Sequence, residues 1–293
     1  MEWSERMNAA IDYIEDNLAD EIDFNDAAKK ACCSLFHFQR MFMVIIGVTP
    51  SEYARRRRLT LAARELTSAN AKVIDLALKY GYDSPDSFTR AFRNVHGITP
   101  QAAREPGVKL AAYPRVSFHI KLEGGNDVEY KIVKKPAFTV AGRIKRFTTD
   151  VQQNMAQIGQ WFLEFLSSPE HQKLLDFGGN KPGAVTGGIK LGICFRENKE
   201  ERWSYAIAVE LPKGKSPQPY KTLDVPASTW AVFETHVDDI EKCWRQIFSE
   251  WFPSTGYEHT GGPEMEVYLL GDPDDPATWK CQIWVPVVKK KKN

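Results

Sequence analysis

No apolar run in this 293-residue sequence approaches the roughly 20 residues that a membrane-spanning helix requires. Cysteine is scarce. The five residues, Cys32, Cys33, Cys194, Cys243 and Cys281, are odd in number and show no C-x-x-C spacing. That argues against a disulfide scaffold or a thiolate zinc site, and reads as small core residues of a protein kept reduced. Histidine is equally sparse: His37, His96, His119, His171, His236 and His259 are scattered without metal-ligand spacing. There is no glycine-rich nucleotide loop and no nucleophile–base–acid pattern, so no catalytic residue, metal or cofactor is assigned. Met1–Asp20 is acidic and amphipathic, unlike a targeting segment, and the expected location is the cytoplasm.

Net charge is nearly absent as well, at +1, but its distribution is uneven. Residues 1–39 hold 3 Lys/Arg against 9 Asp/Glu, a balance of −6; residues 40–105 hold 11 against 6, a balance of +5. A basic block inside a neutral protein points to a polyanion-binding surface. With 43% hydrophobic and 26% charged residues, the chain has the composition of a globular protein, long enough for two domains.

Two internal repeats organise it. At an offset of 50, Ser34 matches Ser84, Phe38 matches Phe88, Arg40 matches Arg90, Phe42 matches Phe92 and Gly47 matches Gly97. Each copy reads as a short amphipathic helix (Asn25–Ala31, Asp75–Tyr80), a tight break, and a second helix opened by Ser as N-cap. In this alignment Ala27 falls on Ala77 and Lys29 on Lys79. The phenylalanines at i,i+4 face a core, and Gly followed by x-Thr-Pro ends the helix. Helix, tight turn and helix with a buried aromatic pair is the helix-turn-helix arrangement. A helical strut over Ser51–Leu66 joins the copies and would set two reading helices on successive major grooves of DNA. The polar residues opposite the phenylalanines are the candidate DNA contacts: Asp86, Ser87, Thr89, Arg90 and Arg93 on the second helix, with Phe36, Gln39 and Arg40 on the more apolar first. Successive residues on a helix point about 100° apart, so Arg55–Arg58 cannot all face one ligand; of the four, Arg57 is assigned to phosphate.

These residues resemble AraC/XylS-type transcription regulators over about Glu2 to Glu105. S-x-x-x-F-x-R-x-F (Ser34–Phe42, Ser84–Phe92), G-x-T-P (Gly47–Pro50, Gly97–Pro100) and A-x-x-L (Ala63–Leu66) stand where that family places them. The resemblance implies a monomer that binds bent promoter DNA through both reading helices.

After Pro106 the pattern becomes β-rich, and Gly124-Gly125 closes an arm. A second repeat follows at an offset of 90, with Lys134–Gly142 parallel to Asp224–Val232 and Trp161-Phe162 parallel to Trp251-Phe252. Each half reads β-α-β-β. The markers V-P-A-x-x-W-A-V-F (Val225–Phe233), E-V-Y (Glu266–Tyr268) and I-W-V-P-V (Ile283–Val287) resemble the GyrI-like effector-binding domain, over about Asn126–Val288. The resemblance implies that an acid in a strand, surrounded by aromatics, meets lipophilic cations. Glu266 matches that acid. Glu264 lies two residues away and so on the same face, and Tyr268, Trp203, Tyr205, Trp230 and Trp284 are the aromatics placed near it.

The expected architecture is therefore multidomain. An all-α double helix-turn-helix domain spans residues 1–107, a connecting arm 108–125, and an α+β domain of two β-α-β-β halves 126–293. The expected function is sequence-specific transcription regulation by a small, lipophilic, cationic effector. The partners are double-stranded promoter DNA, the effector and RNA polymerase, with no membrane. Two other classes compete: a GyrI-like small-molecule hydrolase fused to a DNA-binding domain, and an architectural DNA-bending protein.

Overall fold

The computed structural model describes the backbone of residues 3–68, 71–119, 128–147, 151–196, 203–272, 275 and 278–289; the side chains of Phe36, Ser68, Trp203 and residues 151–156 lie outside that description. The chain forms two compact units, the first made chiefly of residues 1–121 and the second chiefly of residues 122–293.

The first unit is helical: α1 (Trp3–Asp16), α2 (Phe24–Lys30), α3 (Leu35–Ile46), α4 (Pro50–Ser68), α5 (Val73–Lys79) and α6 (Pro85–His96), then a 3₁₀ turn at Ala102–Arg104. Phe38, Phe42, Phe88 and Phe92 are fully buried, and within each copy the two ring centroids lie 5.7 Å apart. Burying each contributes about 2 kcal/mol, which is why these four positions define the repeat. Both turns are closed in the same way. The Cys33 N–H donates to the Ala28 carbonyl around a left-handed Cys32 (φ 54°), and the Tyr82 N–H donates to the Ala77 carbonyl around a left-handed Gly81 (φ 73°). Ala28, not Ala27, is therefore the structural partner of Ala77. The second copy carries one more residue in its turn, so the offset of 50 holds only from Ser34/Ser84 onward. α4, 19 residues and about 28 Å long, joins the copies. Leu59, Ala62, Ala63 and Leu66 of α4 pack with Leu76, Phe88 and Phe92.

The first twelve residues of the expected arm belong to this unit. The Tyr113 N–H donates to Thr60 Oγ1 (3.1 Å), the Val116 N–H to Tyr53 Oη (3.2 Å), and Phe118 exchanges two 2.8 Å hydrogen bonds with the Asn8 side chain. The Phe118 ring is buried edge-on against Trp3. The arm from residue 120 to 125 lies outside the described residues.

The second unit is one sheet with helices on one face. Its first half holds β1 (Lys131–Lys135), β2 (Phe138–Phe147), α7 (Val151–Leu166), α8 (Pro169–Gly178), β3 (Lys190–Arg196) and β4 (Trp203–Glu210). Its second half holds β5 (Lys221–Val225), β6 (Ser228–His236), α9 (Ile240–Gln246) running through a π-helical turn (Ile247–Trp251) into α10 (Phe252–Ser254), β7 (Tyr257–His259), β8 (Glu264–Tyr268) and β9 (Lys280–Lys289). The strand order β1-β6-β9-β8-β3-β4-β2-β5 reads the same from either end when the halves are exchanged, so the pseudo-two-fold runs between β8 and β3. Each half opens with two strands where the sequence pattern suggested one. The chain breaks at Pro136 and at Pro226, where a ladder N–H is missing. The first strand of each half then crosses to pair with the other half, β1 with β6 and β5 with β2. One sheet face is an apolar core of Leu191, Ile193, Phe195, Ala206, Ala208, Met265, Val267, Trp230 and Trp284.

Candidate functional sites

In the first unit the second reading helix, α6, is the better built. Ser84 caps it, accepting from the Ser87 N–H, and Ser87 Oγ returns to the Ser84 N–H to complete a capping box. Pro85 opens it and Gly97 (φ 78°) ends it. The buried Phe88, Phe92 and His96 hold it down, with His96 Nε2 3.2 Å from the Leu59 carbonyl oxygen of α4. Asp86, Arg90 and Arg93 are exposed, as is Asn94, which the sequence reading passed over; Thr89 is half-buried beside them. Ser87, by contrast, is occupied by the cap: its hydroxyl also donates 2.8 Å to the Ser84 carbonyl, so its part is to start the helix.

On α3, Gln39 is half-buried and Arg40 is only 2% exposed, so Arg40 is not offered at the surface as Arg90 is. The Phe36 side chain lies outside the described residues. The four arginines of α4 serve the unit's own packing. Arg55 grips Glu52 at 2.7 and 2.9 Å, and Arg56 reaches the same carboxylate while lying 4.8 Å from the Tyr113 ring centroid. Arg58 donates to the carbonyls of Leu18 (2.8 Å) and Asp20 (2.6 Å). Arg57, expected at phosphate, is turned instead to partners within the unit. Its guanidinium is 12% exposed, holds both oxygens of Glu15 at 2.8 Å, and donates 2.7 Å to the Tyr113 carbonyl. Burial pushes the Glu15 carboxyl upward, but the hydrogen bonds from Arg57 and Tyr53 and the charges of Arg57 and Arg115 outweigh it and hold the group below its usual range.

In the second unit, register brings Glu266 of β8 directly opposite Gly192 of β3, beside the pseudo-dyad. Tyr205 and Tyr268 each donate a hydroxyl 3.1 Å to Glu266 Oε2, and Trp244 of α9 donates its indole N–H 3.1 Å to Oε1. Burial, and after it the Glu266 charge, raises both phenols well above 10, so they stay protonated as donors. Gly192 is required here: a Cβ would collide with the Tyr205 hydroxyl and lie 3.1 Å from Glu266 Oε2. Helix α7 adds two half-buried aromatics. Phe162 stacks on Tyr268 with centroids 5.3 Å apart, and Trp161 meets Tyr205 edge-on at 6.3 Å. The three donors to Glu266 are neutral, and among the described residues no Lys, Arg or His pairs with it. The arrangement is a carboxyl group held by three neutral donors inside an aromatic enclosure.

Three expected members of this site lie elsewhere. Trp284 pairs in register with Met265, so it points to the opposite face, where it packs 5.8 Å from the fully buried Trp230 in the apolar core. Glu264 does share the face of Glu266, but it is 1% exposed and its carboxylate lies 3.2 Å from His259 Nε2. The Trp203 side chain lies outside the described residues. The sequence reading missed Trp244, Gly192 and the site role of Trp161 and Phe162. It marked the last two only as members of the second repeat.

Residues 128–288 match the profile of the GyrI-like small molecule binding domain, and residues 27–106 that of a helix-turn-helix domain. Over 92 residues the chain is 42% identical to the HTH-type transcriptional activator AarP of Providencia stuartii, covering 31% of this chain and 68% of that protein. It is 32% identical over 98 residues to the multiple antibiotic resistance protein MarA of Escherichia coli, covering 33% of this chain and 77% of that one. Among solved structures it is similar to SAV2435 bound to tetraphenylphosphonium, with a TM-score of 0.41 and 22% identity over 55% of this chain and 94% of that chain.

Proposed function

The chain belongs to the GyrI-like small-molecule-binding family and carries an AraC-type helix-turn-helix half, which makes it a DNA-binding transcription regulator, and from that premise we propose that its effector is a lipophilic organic cation held at Glu266. The observation that carries the reading is the Glu266 carboxylate, hydrogen-bonded by three neutral donors and walled by aromatic rings. A half-buried negative charge without a counterion is costly. A cation beside it gains both the charge pairing and about 0.5–2 kcal/mol from each ring face it meets. A neutral ligand gains neither.

On the DNA side, Arg90, Arg93, Asp86, Thr89 and Asn94 of α6 are the base-reading set, and Gln39 is the main polar contribution of α3. To switch the regulator, the effector must bind one conformation of the chain better than another. We place its action in the cytoplasm, with the DNA; no helix among the described residues is long and apolar enough to cross a membrane. The hydrolase reading would need Glu266 and Tyr268 to exchange protons with a substrate, whereas the Tyr268 hydroxyl is already donated to Glu266, and Glu266 accepts from Tyr205 and Trp244 as well.

The test is calorimetry on the full chain with tetraphenylphosphonium. Glu266→Gln keeps the shape and removes the charge, so affinity should fall by about 2–5 kcal/mol, with DNA binding in the absence of ligand unchanged. Equal affinity for the parent and Glu266→Gln would remove Glu266 from the site. Turnover of ester substrates that disappears in Glu266→Gln would favour the hydrolase.

A further inference from the structure

A second buried charge stands beside this site. Lys190 opens β3, is 8% exposed, and pairs in register with Tyr268, so it shares the sheet face of Glu266 and lies two residues from Gly192. Its ammonium is 4.8 Å from the Tyr268 ring centroid and 5.0 Å from that of Phe162, the two rings that stack on each other. Among the described residues no carboxylate pairs with it. Burial pulls its pKa down to about 8, with Cys281 of β9 acting weakly the other way, so at pH 7 the lysine still carries its charge. His171 of α8 senses that charge: burial first, and then Lys190, lower its pKa. The Phe162–Tyr268 side of the aromatic surface around Glu266 thus already has a cation of its own.

We propose that Lys190 sets the charge class of the effector: the site takes a single delocalised cation beside Glu266, Trp244 and Tyr205, and rejects dications. A second positive centre reaching for the Phe162–Tyr268 rings would meet the ammonium already over them. At about 5 Å, in a site partly shielded from water, that repulsion is worth at least a factor of about ten in affinity. The inference rests on the reading of Glu266 as the cation's partner. It adds that the same enclosure is charge-selective by construction, with the acid on one strand and the excluding base on the next.

The experiment uses the full chain at pH 7 with two probes, butyltriphenylphosphonium and butane-1,4-bis(triphenylphosphonium). The parent should prefer the monocation. Lys190→Met removes the charge and keeps an unbranched stem over the rings; it should raise dication affinity about tenfold and change monocation affinity less than about threefold. Lys190→Arg retains the charge and should retain the parent's preference, which a merely volume-filling role would not require. Thermal unfolding checks that each variant is folded, and Lys190→Gln carries the same comparison should Met not be tolerated. An unchanged ratio in the neutral variants, with the monocation still bound, overturns the role of Lys190 alone. If the parent binds neither probe, the reading of Glu266 fails and this inference falls with it.

Discussion

On α6, Asp86, Arg90, Arg93 and Asn94 stand in solvent above a buried Phe88–Phe92 pair, whereas on α3 the equivalent Phe38–Phe42 pair lies under a helix whose matching arginine, Arg40, is buried. The second unit repeats the contrast. Gly192 and Glu266 face each other across the pseudo-dyad at corresponding places in the two halves, and only one of them carries a functional group. In both units the duplication preserves what packs and frees one copy to specialise. In the sheet the relation is tighter still, because the small residue in one half makes the room that the acid and Tyr205 of the site require.

The comparison can be broken in several places. The largest effect is expected at Arg57, which is paired with Glu15. Arg57→Ala strands Glu15 in a partly buried position and should destabilise the first unit by about 2–3 kcal/mol, at the lower end for a buried pair because water reaches both groups. Chemical denaturation would read this, and the salt dependence of DNA binding should keep its slope. The pH dependence has a defined sign. Glu15 has a lowered folded-state pKa, so its contribution is present above the ordinary 4.5 and lost as pH falls through the depressed value; Arg57→Ala should flatten that acid limb. Gly192→Ala should cost about 1–3 kcal/mol in stability through overpacking and abolish ligand binding in the same preparation, measured by thermal unfolding and calorimetry. Arg90→Ala should leave the unfolding temperature unchanged, cost about 1–3 kcal/mol of specific binding and relax one base position; equal losses on random DNA would remove it from the readers. The smallest effect separates the two turns. Cys32 adopts the left-handed conformation that Gly81 adopts without strain, so Cys32→Gly should stabilise by up to about 1 kcal/mol and Gly81→Ala should destabilise by a similar amount.

Much of this was legible in the sequence because it is local. The Phe38/Phe42 and Phe88/Phe92 spacing is one helical turn, the terminal glycines sit where a left-handed residue is needed, and Glu266, Tyr268 and Tyr205 proved to be neighbours. What could not be read depends on partners distant in the chain. Arg57 meets Glu15 and Tyr113, 42 and 56 residues away. Trp230 and Trp284 look like site aromatics until register assigns them a face, and register is fixed by the pairing of β9 with β6 and β8, strands distant in sequence. Trp244 is an ordinary helical tryptophan until α9 is laid over β8, and Gly192 has no signature at all: its importance is an absence of volume opposite Glu266.

The most direct test of the central claim is to locate the ligand. A crystal structure of the full chain soaked with tetraphenylphosphonium should show the phosphonium on the helix-covered face, beside the Glu266 carboxylate and within about 6 Å of the surrounding ring centroids. A ligand bound against Trp230 and Trp284 on the opposite face would contradict the account.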